Sequence, residues 1–126
     1  MAFLDETGLA EVWSLINQKF GNIAVGSYTG ARAAGSGSPV TLSFDFDPKL
    51  VIVADKSTNG NTTVTLPCIF VAGQTIAVYQ YNDNRYQQTL TWGNKSLSWY
   101  CAAGTSPSHG YMQLNDSSNY QYIALG

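Results

Sequence analysis

The change of pattern near residue 21 is the feature that most constrains how this chain can fold. Before it, apolar residues recur at helical spacing, whereas after it short alternating segments are separated by Gly, Ser and Asn. A period of about 3.6 residues predicts a helix, and a period of two predicts strands. The sequence therefore predicts one N-terminal helical segment over residues 1–22, followed by a β head domain over residues 23–126.

The predicted helix carries one apolar stripe, whose five members lie at positions i, i+3, i+4, i+7 and i+11. The stripe consists of Leu9, Val12, Trp13, Ile16 and Phe20. An isolated helix of this length is marginal in water, so the stripe has to be covered by something else. Two alternatives remain open. The helix folds back onto its own β domain, or it packs on other copies of the chain as an oligomerisation element.

The β domain contains a series of short candidate strands. They are expected at 23–28, 40–46, 50–54, 64–71, 75–81, 87–92, 96–102, 111–114 and 120–125. The 50–54 segment is apolar on both faces and is expected at the centre of a sheet, whereas Pro67 suggests an edge strand or a bulge and 59–61 a tight hairpin turn. No strand alternates with a helix. The expected fold is therefore mainly β, an antiparallel β-sandwich of jelly-roll or lectin-like type behind one amphipathic helix.

Charge excludes several classes of partner. Only 11% of the 126 residues are charged, the net charge is −2, and the six Lys and Arg residues are scattered singly. Binding to nucleic acid or anionic membranes relies on clustered positive charge, so neither partner is expected. No apolar run is long enough for membrane insertion, and no signal peptide is visible.

Catalytic and metal-binding patterns are weak. His109, the single histidine, lies in a loop by composition and is more typical of a surface residue than of a catalytic triad. Asp45 and Asp47 could share a Ca²⁺ ion, but a polar strand end meeting a turn is favoured. Cys68 and Cys101 lack further ligands at zinc spacing, and buried free thiols are favoured over a disulfide. We expect no enzymatic activity, no metal and no cofactor.

Tyrosine and tryptophan carry the strongest functional signal, because they are concentrated in the C-terminal half. Their rings can lie against the C–H face of a sugar, or anchor a protein interface. The residues expected to bind a glycan are Tyr81, Asn82, Asn84, Arg85, Tyr86 and Trp92. The alternative, in which the strand tyrosines pack across a sheet or a subunit contact, is slightly favoured.

Four segments resemble one family. Residues 3–16, FLDETGLAEVWSLI, resemble the LD-x-TGL-x-x-LW-x-x-I segment of tail and tail-fibre proteins from phages and prophages of Gram-positive gut bacteria. GSYTG at 26–30 and LSFDFDPKLV at 42–51 resemble the stretch that often follows it. YQYIALG at 120–126 resembles the ending of the same proteins, whereas 55–119 matches no family motif.

The resemblance implies the receptor-binding head domain of a phage tail fibre. Such a domain is usually a homotrimer that recognises a bacterial surface glycan or protein. It would be made in the bacterial cytoplasm and carried on the virion. The resemblance supplies no ligand-contact residues for individual positions of this chain. The alternative from another class is a structural tail or decoration domain of a virion with no ligand of its own.

Overall fold

The structure is a computed structural model that describes residues 6–55, 67–81 and 83–126. Its regular elements are α1 (Glu6–Phe20), β1 (Ile23–Thr29), β2 (Val40–Ser43), β3 (Leu50–Asp55), β4 (Cys68–Val71), β5 (Ile76–Tyr81), β6 (Asn84–Gly93), β7 (Ser96–Cys101) and β8 (Asn119–Leu125), with a short 3-10 turn at Pro107–His109. The expected fold class, an antiparallel β-sandwich behind one N-terminal helix, is confirmed.

The strands form two four-stranded sheets. The first sheet has the order β1-β8-β3-β4, and the second has the order β2-β7-β6-β5. Every neighbouring pair is antiparallel. The internal position of β3 and the edge position of β4 agree with the predictions made from the apolar 50–54 segment and from Pro67.

The core lies between the two sheets and follows the two-residue period of the strands. In β2, Val40 and Leu42 are buried while Thr41 and Ser43 are exposed. The largest fully buried side chains include Trp99 of the second sheet and Phe70 of the first, whose ring centroids lie 4.9 Å apart. Burying side chains of this size stabilises the fold by about 2–3 kcal/mol each, which holds the two sheets face to face.

Two strand predictions need correction. The predicted strand at 111–114 is wrong, because this segment forms consecutive turns in which the Asn115 amide donates to the Gly110 carbonyl at 2.7 Å. The predicted 40–46 strand ends at Ser43. There the chain bends, and the Phe44 amide donates to the Lys95 carbonyl at 2.8 Å. The predicted hairpin turn at 59–61 and the 64–66 part of the next strand lie outside the described residues.

Cys68 and Cys101 face the core from different sheets and are free thiols, as predicted. Burial raises the pKa of the Cys68 thiol to about 12. Its Sγ lies 3.9 Å from the Val78 carbonyl oxygen. A thiol with such a pKa carries almost no thiolate at neutral pH, so Cys68 is a packing residue rather than a nucleophile.

Helix α1 joins the sandwich at the C-terminal end of β8. Gly21 has a φ of +62°, the left-handed conformation that commonly ends a helix. Asn22 and Gly126 then exchange two backbone hydrogen bonds of 2.8 and 2.9 Å. Leu9 and Val12 of the predicted stripe are 58% and 43% exposed, so the β domain of the same chain does not cover these two residues. The side chains of Trp13, Ile16 and Phe20 lie outside the described part of the helix.

Among the described residues, no helix is long and apolar enough to cross a membrane. The 15 residues of α1 contain Glu11 and several other polar side chains between their apolar positions. A span needs about 20 predominantly apolar residues.

Candidate functional site

The sandwich has two different ends, which we call the proximal and distal poles. The proximal pole is where α1 enters, beside the short turns at 44–49, 72–75 and 94–95. The distal pole holds the β5–β6 turn and the two long segments 30–39 and 102–118. Long loops on a rigid scaffold are where binding residues are concentrated in proteins, so the distal pole is the first candidate for a recognition surface.

A buried glutamine ties the two long distal segments together. Gln113 is completely buried, and its side-chain oxygen accepts hydrogen bonds from the amides of Gly35 at 2.8 Å and Cys101 at 3.2 Å. Its side-chain nitrogen donates to the Ser38 carbonyl at 2.6 Å. Trp99 donates its indole N–H to the Gln113 carbonyl at 2.7 Å. Buried polar groups must be paired, so this network fixes where both segments lie.

A second amide and a tyrosine repeat the arrangement nearby. Asn115 accepts from the Ala31 amide at 2.8 Å and donates to the Ala33 carbonyl at 3.0 Å. Tyr28 donates its hydroxyl to the Leu114 carbonyl at 2.7 Å and stacks on Tyr120 with centroids 5.0 Å apart. The distal loops are therefore held in one conformation by side chains from 102–118, which suits a preorganised binding surface.

The predicted glycan-binding residues divide between the two poles. Asn84 and Arg85 are exposed at the distal start of β6, and Tyr86 beside them is half-buried. Tyr81 ends β5 and pairs with Asn84, but its side chain, like the whole of Asn82, lies outside the described residues. Because side chains alternate along a strand, Arg85 and Tyr86 point to opposite faces of the second sheet. Their assignment to glycan binding stays a prediction.

Trp92 is separated from the other predicted residues. It lies eight residues along β6 from Asn84, which corresponds to about 27 Å of extended strand. Its indole N–H donates to the Gln74 carbonyl at 2.8 Å, and its ring packs against the core. Trp92 therefore belongs to the proximal pole and cannot join Asn84 and Arg85 in one compact site.

The proximal pole contains a cleft that the sequence did not indicate. It has a volume of about 350 Å³ and is lined by Asn22, Ile23, Ala24, Ser43, Phe44, Asp45, Phe46 and Tyr122. Phe44 meets Tyr122 edge to face with centroids 5.9 Å apart, and both rings also pack against the core. The clue in the sequence is the Phe-x-Phe pair at 44 and 46, which lies within the predicted 40–46 strand. These rings mainly close the end of the sandwich.

The remaining polar candidates have local structural contacts. Asp47 accepts the Lys95 amide at 2.9 Å, so it links two proximal turns. Ser106 and Ser108 share a hydrogen bond of 2.8 Å in the turn that contains His109. His109 is half-buried, and its Nδ1 has no partner among the described residues. Within the described ranges, no group of three or more His, Cys, Asp or Glu side chains could hold a metal ion.

Comparison with known proteins adds no relative to this description. The chain matches no protein-family model, no curated protein and no solved structure. The fold and the site define a class only: a two-sheet β-sandwich with a helix at one pole and anchored loops at the other. The chemistry of these residues and the four sequence segments at 3–16, 26–30, 42–51 and 120–126 are therefore what points to a function.

Proposed function

We propose that this chain is the receptor-binding head domain of a phage tail fibre. In this proposal it is a homotrimeric virion protein and a binding module rather than an enzyme. The helix attaches the head to the particle, and the distal pole contacts a glycan on the bacterial surface. The resemblance of residues 3–16, 26–30, 42–51 and 120–126 to tail proteins supports this assignment.

The observation that carries the proposal is that the two poles of the sandwich differ. The helix and the C-terminus meet at Asn22 and Gly126 on the proximal pole, while the anchored loops lie at the opposite pole. A head that is attached at one end and binds at the other needs this arrangement. An enzyme would need paired acid–base groups in a cleft, for which the described residues offer little support.

The distal side chains have chemistry suited to a sugar. On one face of the second sheet, exposed Arg85 can donate several hydrogen bonds to hydroxyl oxygens. On the other face, exposed Asn84 can donate further hydrogen bonds, and Tyr86 offers a partly exposed ring. Arg32 is also exposed in the 30–39 segment, so both arginines of the chain belong to the distal pole. A guanidinium presents its donors in a rigid fork, which favours directional recognition of clustered oxygens.

Binding to purified host cell walls, and then to a glycan array, tests the proposal. We expect Arg85→Ala to weaken binding about tenfold or more, since a hydrogen bond from a charged donor contributes about 1.5–3 kcal/mol. Lys49→Ala is the matched control, because it removes an exposed cation from the proximal pole. An equal loss with both variants would show a general charge effect, and absence of binding by the parent chain would refute the proposal.

A structural virion domain is the second candidate. An extensive apolar surface on the first sheet, away from the distal loops, favours it, because such a surface suits packing between subunits. The two candidates differ in one measurement. A purely structural domain would assemble but would bind neither cell walls nor any glycan. A receptor-binding head would assemble and would also bind cell walls.

A further inference from the structure

The outer face of the first sheet carries two complete rows of aliphatic side chains. The row at the proximal pole is Ile23, Leu125, Leu50 and Val71, and the next row is Val25, Ile123, Ile52 and Ile69. We call these eight residues the aliphatic face. A shallow depression of about 180 Å³ lies at its distal border, where Val25, Ile52 and Ile123 of the second row meet Ala54 and Gln121. This face points away from the core, so the second sheet of the same chain does not cover it.

The opposite outer face shows what a solvent-facing sheet looks like in this protein. On β2, β7 and β6 of the second sheet the outward side chains are Thr41, Ser43, Ser96, Ser98, Tyr100, Arg85, Gln87, Thr89 and Thr91. Thr41 and Ser98 share a hydrogen bond of 2.8 Å across two of these strands. Apolar outward residues occur on that sheet at Ile76 and Val78 of its edge strand. The aliphatic face is therefore a distinct surface and not a general property of the strands.

The aliphatic face and the helix together expose an apolar area close to that of one protein interface. Five members of the aliphatic face expose between 43% and 75% of their surface, which amounts to on the order of 400 Å². Leu9, Val12 and Leu15 of the helix expose 43–59% each and raise the total to roughly 700 Å². A stable protein–protein interface buries about 800 Å² per partner. The two surfaces together are thus close to what one stable interface requires.

We infer that the aliphatic face is a self-association surface, covered by a second copy of this chain. The inference rests on the homo-oligomer of the proposed function but not on its receptor. It assigns the subunit contact to the first sheet as well as to the helix. The helix and the face are continuous along the chain, because only Gly21 and Asn22 separate α1 from Ile23.

Charge and geometry favour a second copy as the occupant. The two rows contain no charged side chain, so copies of the face do not repel each other in a symmetric contact. Around a threefold axis each aliphatic face can pack against the same face of its neighbours, as the homotrimer of the proposed function requires. The chain's own helix does not cover the aliphatic face, since Val25 and Ile69 of this face are 75% and 53% exposed.

Light scattering on matched lysine variants tests the inference. Val25→Lys places a charge in the aliphatic face at a side chain that is already 75% exposed, so the fold should tolerate it. Thr91→Lys is the control, because it adds the same charge to an exposed outward position of the second sheet. Ile69→Lys changes the far end of the same row, on β4. Thermal unfolding of each variant checks that the fold is retained.

We expect the parent chain to form an oligomer at micromolar concentration and to dissociate on dilution. Val25→Lys and Ile69→Lys should raise its dissociation constant at least about tenfold, because each would bury an unpaired charge, and Thr91→Lys should not. An oligomer that none of the folded variants weakens would overturn this inference while leaving helix-centred assembly intact. A monomeric parent chain would overturn the inference and the trimer together, and cell-wall binding would then judge the receptor role separately.

Discussion

Replacement of Gln113 by leucine gives the sharpest test of how the distal loops are held. Gln113→Leu keeps the size of the side chain but removes both polar atoms. The amides of Gly35 and Cys101 then lose their acceptor, and the Ser38 carbonyl loses its donor. Leucine cannot replace these hydrogen bonds, and the position is completely buried, so water does not reach it without a rearrangement.

The expected magnitude follows from the number of groups left unpaired. A buried donor or acceptor without a partner costs about 1–3 kcal/mol. Three such groups would together cost up to several kcal/mol. The cost is lower if the 30–39 segment loosens locally, because water can then reach the Ser38 carbonyl. We therefore expect Gln113→Leu to lower the free energy of unfolding by about 3 kcal/mol.

Urea unfolding and amide hydrogen exchange measure the two parts of this effect. The free energy of unfolding should fall, and exchange at the Gly35 and Cys101 amides should accelerate more than at amides of the first sheet. Gln87→Leu is the matched control, because Gln87 is exposed on β6 and its replacement should change stability by less than about 0.5 kcal/mol. Equal, small effects of the two substitutions would refute the argument that Gln113 fixes the distal loops.

Three further predictions use other parts of the molecule. Gly30→Ala should lower the free energy of unfolding in urea by about 2 kcal/mol or more, because the added Cβ would overlap the Asp116 carbonyl oxygen. Gly37→Ala is the control: the space around Gly37 is open, so this change should be neutral or slightly stabilising. The free energy of unfolding should fall between about pH 9 and pH 12. Burial raises the pKa of Cys68 from 9.0 and the pKa of Tyr120 from 10.0 to about 12, so the unfolded chain loses these protons at lower pH than the folded chain. A melting temperature that rises over this range would contradict the prediction. Trp92→Phe should lower stability by about 1 kcal/mol through the lost bond to the Gln74 carbonyl and leave cell-wall binding unchanged, and a selective loss of binding would return Trp92 to the recognition site.

Most strands of the core were predicted from the sequence. For β3 the sequence predicts a cover on both faces of the strand, whereas one chain covers only one face. Residues 50–54 are apolar on both faces, which predicts a strand that is covered on both sides. In the structure Val51 and Val53 are completely buried against the second sheet, while Leu50 and Ile52 belong to the outward aliphatic face. The pattern was therefore correct about the position of β3, and the second cover is what the proposed self-association would provide.

The distal loops could not be predicted, because the interactions that define them are distant in sequence. Tyr111, Met112 and Leu114 have the composition of a strand, which explains the wrong prediction at 111–114. The segment instead turns so that Gln113 reaches Gly35 and Ser38, which lie 78 and 75 residues away. Leu114 adopts a φ of +58°, which a strand would not allow. Local patterns carry no record of such partners.

The separation of the aliphatic face from the distal pole leads to a final prediction about avidity. If assembly uses the first sheet and recognition uses Arg85 and its neighbours, the two functions can be changed independently. Val25→Lys should leave the affinity of one chain for a soluble glycan unchanged. At concentrations where this variant is monomeric, it should nevertheless bind cell walls about 10²–10⁴-fold more weakly than the parent oligomer, because several linked sites bind a repeating surface far more tightly than one. Arg85→Ala should reduce both the affinity for the soluble glycan and the binding to cell walls, and should leave the mass of the oligomer unchanged. Equal losses of soluble-glycan affinity in both variants would show that the two surfaces are coupled.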